Sequence, residues 1–139
     1  MESYEIRLLK LHRNKENSIV SCSLKKVSLL NPGSYSFIYC WGDPDIRKPI
    51  LASRRTIHVT VNLEAALRQL KDKHITRIWV DAVCINQDDR QERSIQVRNM
   101  KQIYSKAERV IAWLGEESEN SSRVIKSMKD FGMMKITVK

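Results

Sequence analysis

The side chains between Asp81 and Arg93 have the clearest chemical potential in this sequence. Asp81 stands within an apolar run, 78–85, where an ionised carboxylate is costly unless it is paired or hydrogen-bonded. Glu92 falls one turn into the helix expected to follow that run. A carboxylate held near a ligand can stabilise positive charge developing on a ribose during glycosidic bond cleavage, or can act as a general acid or base.

Both carboxylates also have ordinary structural explanations. Asp81 can bond the backbone amides of a neighbouring loop or one of the many arginines. Glu92 can be the third residue of a capping box whose N-cap is Asp89. The residue types and their spacing leave both explanations open.

The segment that joins the apolar run to the helix carries Cys84, Asn86 and Gln87. Amide side chains there can bond a polar ligand at a helix N-terminus, although turn chemistry explains Asn86 equally well. A nucleophilic Cys84 would need a base, and no motif links any of the three histidines to it, so a buried thiol is favoured. Histidine and cysteine spacing fits no metal site, and we expect no metal.

Tyr39 and Trp41 alternate on an aromatic strand and therefore share a face. They can flank a nucleobase or nicotinamide ring, or they can simply pack in the core.

Three buried strands, at 35–41, 78–83 and 110–114, must position these residues. A helix with Asn62 as its N-cap and a helix capped by Asp88 or Asp89 are predicted between them. Strand and helix alternation predicts a parallel sheet with right-handed crossovers and flanking helices, whose ligands bind beyond the carboxyl ends of the strands. The predicted core-facing residues of the helices are Leu63, Ala66, Leu67 and Leu70 in the first, Val97, Met100, Ile103, Tyr104 and Ala107 in the second, and Val124, Ile125 and Met128 in a last helix.

The regions outside this alternation are predicted to be peripheral. Residues 4–11 and 19–24 read as an N-terminal hairpin of exposed strands. Residues 45–55 are basic and contain Pro49, which indicates a loop leading into a short strand at 57–61.

Composition limits the class of protein. The 139 residues are 42% hydrophobic and 29% charged, which predicts one globular domain, and no apolar run is long enough to span a membrane. Three widely spaced cysteines and an N-terminus without a signal peptide favour a soluble, cytoplasmic protein with free thiols. The net charge of +9 raises the question of nucleic acid, but the basic residues are scattered pairs rather than a stripe, so a solvated surface or an anionic ligand is preferred.

Together the motifs resemble the HET (heterokaryon incompatibility) domain of filamentous fungi. The resemblance covers 35–115 and departs from the family pattern at Ile38, where the family usually has serine. The matching segments are Tyr39-Cys40-Trp41-Gly42-Asp43, Asn62-Leu63-Glu64-Ala65-Ala66-Leu67, Trp79-Val80-Asp81-Ala82-Val83-Cys84-Ile85-Asn86-Gln87, Glu92-Arg93, Gln96-Val97 and Trp113-Leu114-Gly115.

This resemblance implies a cytoplasmic module of fungal nonself recognition that triggers cell death. HET domains are considered distantly similar to TIR domains, so the expected fold is a flavodoxin/TIR-like α/β parallel sheet with an N-terminal β-hairpin added. The resemblance makes 1–139 a single HET domain, with N-terminal strands in 1–34 and a C-terminal helix and tail in 116–139.

Some TIR domains cleave NAD at the nicotinamide–ribose bond with a glutamate on the helix after a central strand. By that analogy Glu92 and Asp81 are the catalytic residues, NAD is a substrate rather than a resident cofactor, and self-association or a partner signalling domain is expected. The alternative is a non-enzymatic module acting through homotypic contacts, and nucleic-acid binding ranks third. The residues implied in ligand binding are Tyr39, Trp41, Gly42, Asp43, Cys84, Asn86, Gln87 and Arg93.

Overall fold

A computed structural model of the chain describes residues 4–14, 18–40, 45–113 and, as backbone, 136–138. The described part is an α/β arrangement around one mixed, eight-stranded sheet in the order β5-β4-β2-β1-β6-β3-β7-β8. Its elements are β1 (Glu5–Leu11), β2 (Ser21–Ser28), β3 (Ser36–Cys40), β4 (Arg47–Ala52), β5 (Arg55–Thr60), α1 (Val61–Asp72), β6 (Arg77–Trp79), α2 (Asp81–Cys84), α3 (Arg90–Lys106), β7 (Arg109–Trp113) and β8 (Ile136–Val138).

Four neighbouring strands, β6, β3, β7 and β8, form what we call the parallel half of the sheet. Phe37 of β3 is in register with Trp79 on one side and Val110 on the other. Helix α1 precedes β6, and α3 connects β6 to β7. The predicted alternation of strand and helix is confirmed here, and it places the carboxyl ends of β3 and β6 side by side.

The other strands, β5, β4, β2 and β1, form the mixed half, and they correct the prediction of an exposed hairpin added to a wholly parallel sheet. Strand β1 lies between β2 and β6 and is antiparallel to both. Ile6 and Leu9 are completely buried. The hairpin prediction is right in its pairing but wrong in its place, because β1 has apolar side chains on both faces and fills the middle of the sheet.

The basic segment 45–55 is not the predicted loop. Its residues Arg47–Ala52 form β4, which pairs antiparallel with β5 through a two-residue turn at Ser53 and Arg54. Pro49 faces His58 in this register. Ladder hydrogen bonds alternate from the turn, so Pro49 occupies a pair that needs no backbone N–H.

Helix α1 begins two residues earlier than predicted. Thr60, not Asn62, is its N-cap, and the Thr60 hydroxyl accepts a hydrogen bond from the Leu63 N–H at 3.2 Å. The predicted stripe is confirmed, since its members are buried. They are Leu63, Ala66, Leu67 and Leu70.

Helix α3 is capped by Asp89, whose carboxylate accepts from the N–H groups of Gln91 and Glu92 at 3.1 Å each. Ile103 is buried as predicted, but Val97 is 57% exposed, which contradicts the prediction that it faces the core. The inner position is taken by Gln96, whose amide donates to the Glu5 carbonyl at 2.9 Å. Of the other predicted core residues, Ala107 is buried, and Met100 and Tyr104 pack partly buried against the core.

The predicted strand 78–83 ends early. Strand β6 stops at Trp79, and Asp81 begins the single turn of α2, where it is exposed. The apolar run continues because this turn buries Val83 and Cys84. The expectation that Asp81 is a buried strand residue is therefore wrong. The predicted last helix and the strand end at Leu114 lie outside the described residues.

Candidate functional site

A crevice of about 220 Å³ opens where β3 and β6 end, and we call it the strand-end crevice. It is lined by Tyr39 and Cys40 from β3, Trp79 from β6, Asp81 from α2 and Met100 from α3. This is the edge at which parallel α/β sheets bind ligands. The structure thus brings two of the predicted site residues, Tyr39 and Asp81, to the same edge of the sheet.

Aromatic rings form the floor of the crevice. The Phe37 ring lies 4.9 Å from that of Tyr39 and 4.9 Å from that of Trp79, measured between centroids, and the Phe37–Trp79 pair is stacked. Trp79 is fully buried, and its Nε1–H has no hydrogen-bond partner among the described residues. Burial raises the pKa of Tyr39, which keeps its phenol neutral.

Asp81 supplies the negative charge of the crevice. It is exposed at the start of α2, and its charge adds to burial in raising the pKa of the Cys40 thiol to about 12. Cys40 is therefore a protonated thiol rather than a nucleophile at neutral pH. The crevice can offer a ligand the partly exposed ring of Tyr39, which rests on the buried rings of Phe37 and Trp79, and one accessible carboxylate.

Glu92 lies in a different environment from Asp81. Its side chain is 5% exposed, and its Oε2 accepts from Arg7 Nη1 at 2.7 Å and from the Asn86 backbone N–H at 2.5 Å. The Arg7 guanidinium, helped by the Asn86 amide, lowers the pKa of Glu92, so this carboxylate is ionised. Glu92 does not make the reciprocal capping-box bond to Asp89, whose N–H donates to the Asn86 carbonyl. It is not among the residues that line the strand-end crevice.

The other predicted ligand-binding residues divide between these two places. Gln87 donates its amide to the Asp81 carbonyl at 3.0 Å, beside the crevice, whereas the Asn86 side chain accepts from the Asp88 N–H at 3.2 Å in a turn. Arg93 is exposed on α3. Cys84 is enclosed, with its Sγ 3.7 Å from the Ile78 carbonyl and its pKa raised by burial to about 12.

Three of the predicted binding residues, Trp41, Gly42 and Asp43, lie outside the described residues. Within the described ranges, no group of three or more histidine, cysteine, aspartate or glutamate side chains could hold a metal ion. Arg7 is the residue that the sequence reasoning missed. The available signal was a charged side chain in the middle of an apolar strand, which needs a partner just as Asp81 was thought to.

Comparison with known proteins identifies the family to which this chain belongs. The family model described as heterokaryon incompatibility protein (HET) matches residues 36–138. The chain belongs to the HET family. A relative of the HET chain, heterokaryon incompatibility protein 6, OR allele, from Neurospora crassa, is 34% identical over 146 residues, covering 94% of this chain.

The HET chain spans 22% of that relative's length. No solved structure matches the HET chain. Strand β1 and Arg7 precede the part matched by the family model, although they complete the middle of its sheet. In the described ranges no helix is long and apolar enough to cross a membrane.

Proposed function

We propose that this chain is a cytoplasmic module of heterokaryon incompatibility, which effects cell death after nonself recognition. The family match over residues 36–138 and the similarity to the Neurospora crassa incompatibility protein support this role. We further propose that the module acts on a small nucleotide, NAD or a relative, bound in the strand-end crevice.

The observation that carries the chemical proposal is the position of Asp81. An accessible carboxylate stands at the carboxyl ends of two parallel strands, next to Tyr39, in a crevice floored by aromatic rings. A planar base can stack on the partly exposed Tyr39 ring, and a carboxylate beside it can stabilise a ribosyl cation. The C–N glycosidic bond breaks with its electron pair leaving on nicotinamide, water adds to the ribose carbon, and one proton is released.

Nicotinamide release tests the reaction and the role of Asp81. Purified protein at high local concentration should release nicotinamide from NAD, and Asp81→Asn should lower the rate by about 100-fold or more. Arg93→Gln tests a second member of the predicted ligand set, at an exposed position on α3 that does not line the crevice. If Arg93 contacts the nucleotide, this variant should raise KM with little effect on kcat. Wild-type protein that binds NAD but never releases nicotinamide overturns the enzymatic proposal.

The role of Glu92 needs a pair of variants, because Glu92→Gln removes a carboxylate and also breaks its bond with Arg7. Arg7→Gln breaks the same bond while keeping the carboxylate. If Glu92 acts on the substrate, as the TIR analogy implies, Glu92→Gln abolishes nicotinamide release while Arg7→Gln retains most of it. Equal losses in the two variants mean that Glu92 only holds the fold around the Asn86 turn.

The second candidate is a non-enzymatic signalling module that works by self-association. The observation in its favour is that both donors to Glu92, Arg7 Nη1 and the Asn86 N–H, give this residue a complete structural explanation. Cell killing by an Asp81→Asn protein that no longer releases nicotinamide would select this candidate. Loss of killing together with loss of nicotinamide release would reject it.

A further inference from the structure

A second cavity, of about 410 Å³, lies on the face of the sheet over β1, β2 and the start of β6. We call it the sheet-face cavity. Three of the residues that line it are cationic, Lys10, Lys25 and Arg77, and none is acidic. Lys10 and Lys25 precede the segment matched by the family model. This cavity is separate from the strand-end crevice, with which it shares no lining residue.

The strand register forces these charges together. Lys10 of β1 is directly opposite Arg77 of β6 on one side and Ser23 of β2 on the other. Opposed side chains on antiparallel strands have their Cβ atoms about 5 Å apart, and like charges in that arrangement repel. Lys25 is two pairs further along β2, opposite Leu8 and on the same face as Lys10.

Among the described residues, these three cations have no acidic partner within ion-pair distance to offset this repulsion. The ion pairs in the described part of the chain involve Arg7, Lys48 and Arg68, and none reaches the cavity. A fold gains nothing from facing uncompensated cations on neighbouring strands. Such a local conflict with stability is typical of a binding site.

Arg77 is also held in a fixed position. Its Nη1 donates to the Ser34 carbonyl at 2.7 Å and its Nη2 to the Pro32 carbonyl at 2.9 Å. Gly33, between those residues, has a φ of +75°, and a Cβ there would lie 2.6 Å from Arg77 Nη1. The tight turn is therefore shaped around the guanidinium, whose positive charge is preorganised and needs no ordering when an anion arrives.

From this arrangement we propose that the sheet-face cavity binds the phosphate groups of a small phosphorylated ligand. Phosphate oxygens suit two mobile ammonium groups beside a fixed guanidinium. The hydroxyl of Thr76 on the rim can add a hydrogen bond. The side chains of Leu8 and Val27, which share this face of the sheet, form an apolar floor for the rest of the ligand. Nucleic acid fits less well, because no aromatic side chain lines the cavity for base stacking.

Calorimetric titration of the full chain with pyrophosphate and with ATP, at low ionic strength, tests the site. Both ligands should bind saturably at one site, and Lys10→Gln/Lys25→Gln should weaken binding by about tenfold or more. The matched control is Arg98→Gln/Lys101→Gln, which removes the same charge from exposed positions on α3 and should change affinity less than twofold. Absence of saturable binding, or equal weakening in both double variants, overturns the proposal.

Comparing the affinities for pyrophosphate and ATP also distinguishes two kinds of ligand, an inorganic polyphosphate and a phosphorylated organic molecule. Tighter binding of ATP indicates that the floor contacts an organic group, and equal binding indicates an inorganic polyphosphate. Duplex DNA that binds more tightly than either, with the same loss in Lys10→Gln/Lys25→Gln, overturns the assignment to a small ligand.

Thermal melting gives an independent readout. Without ligand, Lys10→Gln should melt at the same temperature as wild type or higher, because it relieves repulsion with Arg77. Pyrophosphate should raise the melting temperature of wild type but not of Lys10→Gln/Lys25→Gln. A Lys10→Gln protein that melts well below wild type shows that Lys10 supports the fold, which contradicts the inference.

Discussion

The two halves of the sheet place their charged side chains in opposite ways. In the parallel half, β3 has no charged residue, and Arg77 and Arg109 stand at the starts of β6 and β7. In the mixed half, charges interrupt the strands themselves, as Arg7 and Lys10 do in β1. The parallel half therefore presents its chemistry at the strand ends, whereas the mixed half presents it on the faces of the sheet.

This difference does not make the halves independent. Leu9 of β1 pairs with Ile78 of β6, and Arg7 reaches Glu92 at the start of α3. The hydrophobic core runs without a break from β1 to β7. We therefore expect the described sheet to unfold as one unit. This unit includes β1 and β2, although the family match covers only residues 36–138.

The largest effect should come from truncating Leu9, which is 0% exposed. Leu9→Ala should lower the free energy of unfolding by about 2–5 kcal/mol, the usual cost of a buried leucine cavity. Ile111→Ala, in the parallel half, is the matched control and should cost a similar amount. Urea unfolding followed by fluorescence and by circular dichroism should give one coincident transition for both variants. Two separated transitions in Leu9→Ala would mean that the parallel half folds alone.

The next effect should come from the bond that joins the halves. Glu92→Gln removes a 5% exposed carboxylate and leaves Arg7, 22% exposed, without its partner. The expected loss is about 2–3 kcal/mol at pH 7, below that of a fully buried pair because water reaches Arg7. Arg68→Gln, which breaks the Glu64 pair within α1, is the control and should cost less than about 1 kcal/mol. Equal losses would remove any special role for the Arg7–Glu92 bond.

The stability that the Arg7–Glu92 bond contributes should decrease at acid pH. The folded state lowers the pKa of Glu92 below its ordinary value of 4.5, so its stabilisation is complete above about pH 4.5 and is lost as pH falls through the folded pKa. Wild-type stability should decline in that acid range more steeply than the stability of Glu92→Gln. Parallel pH profiles, measured by urea unfolding at each pH, would contradict the assignment.

The sequence correctly predicted the strands that are buried equally on both faces of the sheet. It failed for segments that are buried in other ways. Strands β3 and β7 are continuous apolar runs, which the prediction located correctly. The run 78–85 is equally apolar, but only its first residues are a strand, because one helical turn buries Val83 and Cys84 just as well. Periodicity cannot separate these cases in so short a run.

In the mixed half the sequence signals were misleading for another reason. Arg47, Lys48 and Pro49 look like a loop, yet an edge-facing hairpin tolerates them because its outer positions are exposed. At the candidate site, Tyr39 and Asp81 could be grouped because both lie near the carboxyl ends of predicted parallel strands. The partner of Glu92 could not, because Arg7 comes from 85 residues away, across a strand that was predicted to be peripheral.

A smaller effect concerns the thiols of the two halves. Burial raises the pKa of Cys22 in β2 to about 11, and burial together with Asp81 raises that of Cys40 in β3 to about 12. Asp81→Asn should therefore speed the alkylation of Cys40 by iodoacetamide a few-fold at pH 8, since it lowers that pKa. Cys22 is the internal control and should not change. Mass spectrometry of the labelled peptides measures both rates, and equal acceleration would indicate loosening of the fold rather than an effect of charge.

The smallest effect should come from the turn at the edge of the mixed half, where Ser53 and Arg54 have φ values of 48° and 69°. Glycine adopts such angles without strain, so Arg54→Gly should stabilise the protein by about 0.5–1 kcal/mol, whereas Gly33→Ala, at φ +75° and crowded by Arg77, should destabilise it. Urea unfolding measures both changes. If Arg54→Gly is neutral or destabilising, the Arg54 side chain stabilises the hairpin by at least as much as its backbone angle costs, and the mixed half then uses its exposed cations for folding as well as for binding.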